Sequence, residues 1–235
     1  ERLTEVVDAG ELEFVRECFA HFAARLDPLV AETRRLVAAS LARTRATVEQ
    51  EPVRAYVEAI RAFFGVEDAL EFTALYVWWP DAERIQANPN GPFLLLRVRP
   101  NAGETIDSGD VVVHEAVHVI SALQPEAQKR ATSAAVLAAC PDALDGTARL
   151  EVLEEPLATV LGNMEFRRRF DPKRFAWGRQ WYGKPGVDLS ARVLYPAVMD
   201  ALANGGRLGG AFTKDAAALC AVVSKALRPP PERER

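Results

Sequence analysis

Residues 111–120, Val-Val-Val-His-Glu-Ala-Val-His-Val-Ile, constrain this chain more than any other stretch. Apart from His114, Glu115 and His118 the run is apolar, so a helix drawn through it is buried around most of its circumference. A helix turns about 100° per residue, which puts His114 and His118, four apart, on one face with their imidazoles within reach of a single ion. Glu115 falls on the adjoining edge, where its carboxylate can reach a water held by that ion without binding the ion itself. Two histidines and a glutamate are costly to desolvate in such a helix unless they are paired or coordinated. Only three histidines occur in the chain, so a chance His-Glu-x-x-His is a weak rival to a metal site.

The remaining sequence supplies a scaffold for that helix. Leu12, Val15, Phe19, Phe22 and Leu26 recur at helical spacing. Asp27-Pro28 then offers a cap and a first-turn proline for a second helix through about Thr44. A third helix follows Pro52, with Val53, Tyr56, Val57, Ile60 and Phe63 on one side. Phe72–Trp79 and Phe93–Arg99 are short and rich in aromatic or branched residues, and Asn88-Pro-Asn-Gly-Pro92 between them reads as a turn, so two or three strands are expected. Asp107 or Ser108 can cap the motif helix, which runs to about Leu123 with Asp110 in its first turn. Further helices are expected over about 126–139, 147–168, 188–204 with Asp188 as cap, and 213–227 with Thr213 as cap. The fold class is α+β and predominantly helical. Residues 1–227 read as one domain, made of a helical scaffold over 1–65, strands and motif helix over 66–125, and a helical part over 126–227. Residues 228–235 lack apolar content and read as a disordered tail.

Composition removes several functional classes. The 29 basic and 33 acidic residues nearly cancel and form no basic stripe, so nucleic acid is not an expected partner. No uncharged run approaches the roughly 18–20 residues that span a bilayer. Cys18, Cys140 and Cys220 lack the CxxC spacing of a sulfur-based zinc site. The chain opens on Glu1 rather than a methionine, which raises the expectation of a removed leader and a secreted or periplasmic location.

The segment Val111–Ile120 resembles the zinc-binding helix of the zincin metallopeptidases, over about ten residues. That resemblance implies a zincin-like fold, a Zn²⁺ cofactor held by His114 and His118, Glu115 as general base, and a peptide or protein as substrate. A metzincin would continue with a glycine and a third histidine, where this chain has Ser121 and Gln124. A catalytic zinc takes three protein ligands. The one other histidine, His21, lies in an amphipathic helix far upstream and reads as a surface or structural residue, so the third ligand should be acidic and downstream. The gluzincin branch supplies a glutamate followed three residues on by a small residue, a pattern matched by Glu155-Pro-Leu-Ala158. Glu151 and Glu154 compete with it; Glu155 is preferred, then Glu151. Thr159 could hold a ligand histidine from behind. The branch also implies a donor to the developing oxyanion, for which Tyr195 is placed ahead of Tyr182, with Arg192 behind both. Phe93–Arg99 would be the edge strand that pairs with substrate, or else an interior strand. Arg167–Arg174 reads as a solvated helix end. The alternative to a peptidase is an inactive zincin-like domain that uses metal or fold structurally or to bind a partner.

Overall fold

The computed structural model describes residues 9–79, 85–91, 93–100, 104–139 and 153–227. The chain is predominantly helical with a small three-stranded mixed sheet, as an α+β reading requires. It begins with α1 (Ala9–Val48) and α2 (Glu51–Phe63), continues through β1 (Thr73–Trp78), β2 (Gln86–Asn90) and β3 (Phe93–Val98), and enters α3 (Gly109–Ala122), the motif helix. Then come α4 (Glu126–Ala139), α5 (Glu155–Ala158), a π-helical stretch (Thr159–Glu165) and α6 (Phe166–Phe170), the last three running on without leaving helical dihedrals. A short 3₁₀ turn (Pro172–Arg174), α7 (Pro185–Ala203) and α8 (Gly210–Leu227) complete the order.

Several expectations about local structure are corrected. Pro28 does not begin a second helix: α1 passes straight through it over 40 residues. A proline deletes one backbone hydrogen bond and crowds the preceding turn, at about 3 kcal/mol. The residues around it, rich in alanine, leucine and arginine, are strong helix formers and hold the helix together. Asn88-Pro-Asn90 is not a turn either. It lies in β2, which pairs antiparallel with β3, Gln86 opposite Arg97 and Asn90 opposite Phe93. A proline is tolerated there because β2 is an edge strand. β1 pairs parallel with β3 on its other side, so the order β1-β3-β2 makes β3 the interior strand rather than the edge. Helix starts differ by a turn: α7 begins at Pro185, leaving Asp188 in its first turn, and α8 begins at Gly210, leaving Thr213 inside it. Residues 228–235, Cys140 and the 147–152 part of the expected 147–168 helix lie outside the described residues.

Packing explains why α3 is apolar on nearly every side. Val112 joins Leu94, Leu96, Val98 and Val37 in a small cluster between the sheet, α1 and α3. Val113, Val117 and Ile120 face the larger core, with Ile60, Phe63, Leu157, Leu161 and Leu194. Each such side chain stabilises by roughly 1.5–3 kcal/mol on full burial. Hydroxyls fix the start of α3: Ser108 N–H donates to Thr44 Oγ1 at 2.9 Å, Ile106 N–H to Ser40 Oγ at 2.9 Å, and Thr47 Oγ1 to Asp107 Oδ2 at 2.8 Å. Arg167, read from sequence as part of a solvated end, is buried and clamps the same region through Asp110 at 2.7 Å and Asp171 at 2.5 Å. No helix among the described residues is long and apolar enough to cross a membrane.

Candidate metal centre

His114 and His118 leave α3 on the one side that neither core covers, and the α5 end of the continuous helix lies across from them. Their Nε2 atoms are 3.2 Å apart. Glu155 Oε2 stands 3.4 Å from His114 Nε2 and 3.5 Å from His118 Nε2. The three atoms form a nearly equilateral triangle, and among the described residues these are the side chains grouped closely enough to share a metal ion.

The far side of each imidazole is held. His114 Nδ1 meets Asn163 Oδ1 at 2.8 Å, and His118 Nδ1 meets Glu154 Oε1 at 3.3 Å. Both partners are acceptors, so each Nδ1 carries the hydrogen and each Nε2 turns a lone pair towards the triangle. Glu155 Oε2 is buried and has no hydrogen-bond partner among the described residues. Three acceptors thus converge on one point, an arrangement that repels itself unless something positive lies between them. A proton on His118 serves one edge of the triangle, whereas a cation at its centre serves all three. Ligand-to-ligand separations of about 3.3–3.4 Å follow from a tetrahedral ion with bonds of roughly 2.0–2.1 Å, and the observed edges match.

Electrostatics follow the same geometry. For His118 burial pulls the pKa down, but Glu154 and Glu155 outweigh it and push it up to about 10. Glu155 is raised by burial and lowered more strongly by the two histidines, ending well below the usual carboxylate range. Glu115, 7% exposed and facing the same cleft, goes the other way, because burial raises it more than the histidines lower it. It is a carboxylate made more basic beside the triangle, yet not a corner of it.

The π-helical stretch brings the two helices together. An added Cβ on Gly162 would lie 2.3 Å from His114 Cα, so only glycine lets the chain pass so close to α3. Tyr56 donates to the carbonyl of Leu161 at 2.8 Å inside this stretch. Next to Gly162 stands Asn163, the anchor of His114. Thr159, to which that task was assigned from sequence, is instead fully buried, its hydroxyl without a hydrogen-bond partner among the described residues. Neither Gly162 nor Asn163 was singled out in the sequence, although a glycine and an asparagine side by side about one turn past Ala158 mark a close helix approach with a polar contact beside it.

The other residues divide clearly. Glu154 reaches His118 from behind, and Glu151 lies outside the described residues. Tyr195 is not in the cleft: its hydroxyl donates to Glu165 Oε2 at 2.5 Å, on a carboxylate that is fully buried and also held by Arg168 and Arg169. This places it away from an oxyanion role, and it packs against Trp177. Tyr182 occupies the place by the triangle, its ring stacked on His114 with centroids 5.9 Å apart and planes 21° apart. The Asp188 carboxylate pins the loop bearing Tyr182 by accepting the backbone N–H groups of Trp181, Tyr182 and Gly183 at 2.8, 2.9 and 3.1 Å. Arg192 donates to the Arg179 carbonyl and is outside the cleft, and His21 lies on exposed α1. The triangle opens into a cleft of about 650 Å³ bounded by β2 (Gln86, Asn88), Arg97, Trp181, Tyr182 and Lys184. Searches against protein-family models, curated proteins and solved structures found no match to this chain.

Proposed function

We propose that the chain is a zinc-dependent peptidase of gluzincin type, with His114, His118 and Glu155 as ligands and Glu115 as general base. The observation that carries the reading is the convergence of His114 Nε2, His118 Nε2 and Glu155 Oε2 at tetrahedral spacing, with a basic carboxylate next to them in an open cleft. A closed structural site has no use for either the cleft or the fourth group. When bound, zinc would supply Lewis-acid polarisation of a carbonyl and make an attacking water more acidic.

The residues then have distinct tasks. Asn163 and Glu154 hold the imidazoles with Nε2 facing the ligand position. Glu115, with its raised pKa, takes the proton of the attacking water and returns it to the leaving amine. Tyr182 replaces Tyr195 as the hydroxyl nearest the reacting carbonyl. The free edge of β2, beside the cleft, gives an extended peptide a strand to pair with, a role that sequence reasoning placed on β3.

The test joins metal analysis of the purified protein with peptide-library cleavage by wild type and Glu115→Gln. One zinc per chain with cleavage abolished in Glu115→Gln is the expected outcome. Bound zinc without cleavage by wild type would instead assign the site a structural or partner-binding role, and equal cleavage by both proteins would remove Glu115 as the base.

A further inference from the structure

The N-terminal half of α1 takes no part in the fold described so far. From Thr33 onward the helix meets the body of the protein through Val37, Ser40 and Thr44, all buried. Residues 19–32 are exposed on every side. Phe19 is 61%, Phe22 47%, Leu26 42% and Leu29 59% exposed. With Leu12 and Val15 these residues are spaced alternately by three and four positions, the 3.5-residue repeat of a left-handed helix-on-helix seam. The seam lies on the same face as Val37, Ser40 and Thr44, so one stripe docks the body at its C-terminal end and runs on exposed over residues 19–32, with Leu12 and Val15 half-buried beyond. Pro28 points to the opposite side.

We propose that this seam joins two copies of the chain through antiparallel pairing of residues 12–29. Two features select a second copy. The body covers the seam face beyond Thr33, so a parallel pair would drive two bodies into the same space, whereas an antiparallel pair sets them at opposite ends. The stripe is also self-complementary when reversed: Leu12 meets Leu29, Val15 meets Leu26 and Phe19 meets Phe22 of the second copy, which puts four phenylalanines at the two-fold axis. Phe19, Phe22, Leu26 and Leu29 expose 42–61% of their surface, so these four alone bring about half of the roughly 800 Å² per partner of a standard interface, and the polar residues flanking the seam add to it. An anionic lipid surface is disfavoured, since residues 9–32 carry five carboxylates against two arginines.

Sedimentation equilibrium of the full chain tests this. Wild type should behave as a dimer at about 50 μM, and Phe19→Glu with Phe22→Glu should weaken association by at least about 100-fold. Neither phenylalanine is buried against the body, so the variant should keep its cooperative thermal unfolding. Cys18 and Arg25 flank the seam opposite each other in the antiparallel pair, and Arg25→Cys should give a disulfide-linked dimer on mild oxidation, absent in Arg25→Cys with Cys18→Ser. A monomeric wild type, a dimer indifferent to the two glutamates, or seam-dependent binding to phosphatidylcholine vesicles in place of dimerisation would overturn the proposal. None of these outcomes bears on the zinc reading.

Discussion

Gly162→Ala isolates the contact on which the proposed metal centre rests. In an exposed helix interior the change would stabilise by up to about 1 kcal/mol. Here the new Cβ lies 2.3 Å from His114 Cα, 2.4 Å from its nitrogen and 2.7 Å from its Cβ. Non-bonded carbons rest at about 3.5–4.0 Å, so α3 and the π-helical stretch must separate by about 1 Å or more. None of the atoms met is a movable side-chain end, which puts the cost at the upper part of the overpacking range, about 3 kcal/mol. For a chain of this size that lowers the Tm by roughly 6–12 °C. The same separation moves Glu155 and Asn163 relative to both histidines, where ligand distances are tolerant to only about 0.2 Å, so zinc affinity should fall by at least about 100-fold. Thermal unfolding with and without zinc, together with competition against a chromogenic chelator, reads both effects. Gly178→Ala, where an added Cβ meets nothing within 4 Å, serves as the control and should change stability by no more than about 0.5 kcal/mol. If Gly162→Ala matches the control in both measurements, the helix approach is not what positions the ligands.

Other substitutions separate ligand, support and scaffold. Glu155→Ala should lose zinc outright in metal analysis, whereas Glu154→Gln and Asn163→Ala, which loosen an imidazole from behind, should weaken it by about 10–100-fold; the reverse order would exchange the roles of Glu154 and Glu155. Tyr182→Phe should reduce turnover with zinc content unchanged. Tyr195→Phe should leave zinc and turnover intact while costing about 1–3 kcal/mol in urea unfolding, because it strips a donor from buried Glu165. In chelator, the raised pKa of His118 stabilises the fold fully below its ordinary 6.5 and progressively less as pH rises through about 10. The lowered pKa of Glu155 contributes above about 4.5 and is lost on further acidification. The stability difference between wild type and His118→Gln should therefore be greatest between pH 4.5 and 6.5 and vanish above 10; a difference that grew with pH would contradict the pairing.

The part of the site legible in sequence is the part set by one helix. His114, Glu115 and His118 share a face because helical rotation alone puts them there, and the apolar residues between them announce burial on both flanks. The strands around β1 and β3 and the helix after Pro52 could likewise be read from local pattern. What lay beyond reach depends on contacts between distant segments. The parallel pairing of β1 with β3 decided the open choice between edge and interior in favour of the interior, and Asn88-Pro-Asn90 became part of the edge, since hydrogen bonding to a neighbour outweighs turn propensity.

The sequence by itself determined that a buried helix would present two imidazoles and a carboxylate, and it directed the search for a third group to acidic residues downstream. Only the tertiary structure brought Glu155 within 3.5 Å of both imidazoles, gave Glu154 and Asn163 the backs of the rings, and put Tyr182 rather than Tyr195 beside His114. The physical reason is that neighbouring glutamates and tyrosines are chemically alike. Which of them serves depends on a close approach of two helices, permitted by the missing side chain of Gly162, and no local periodicity encodes that distance.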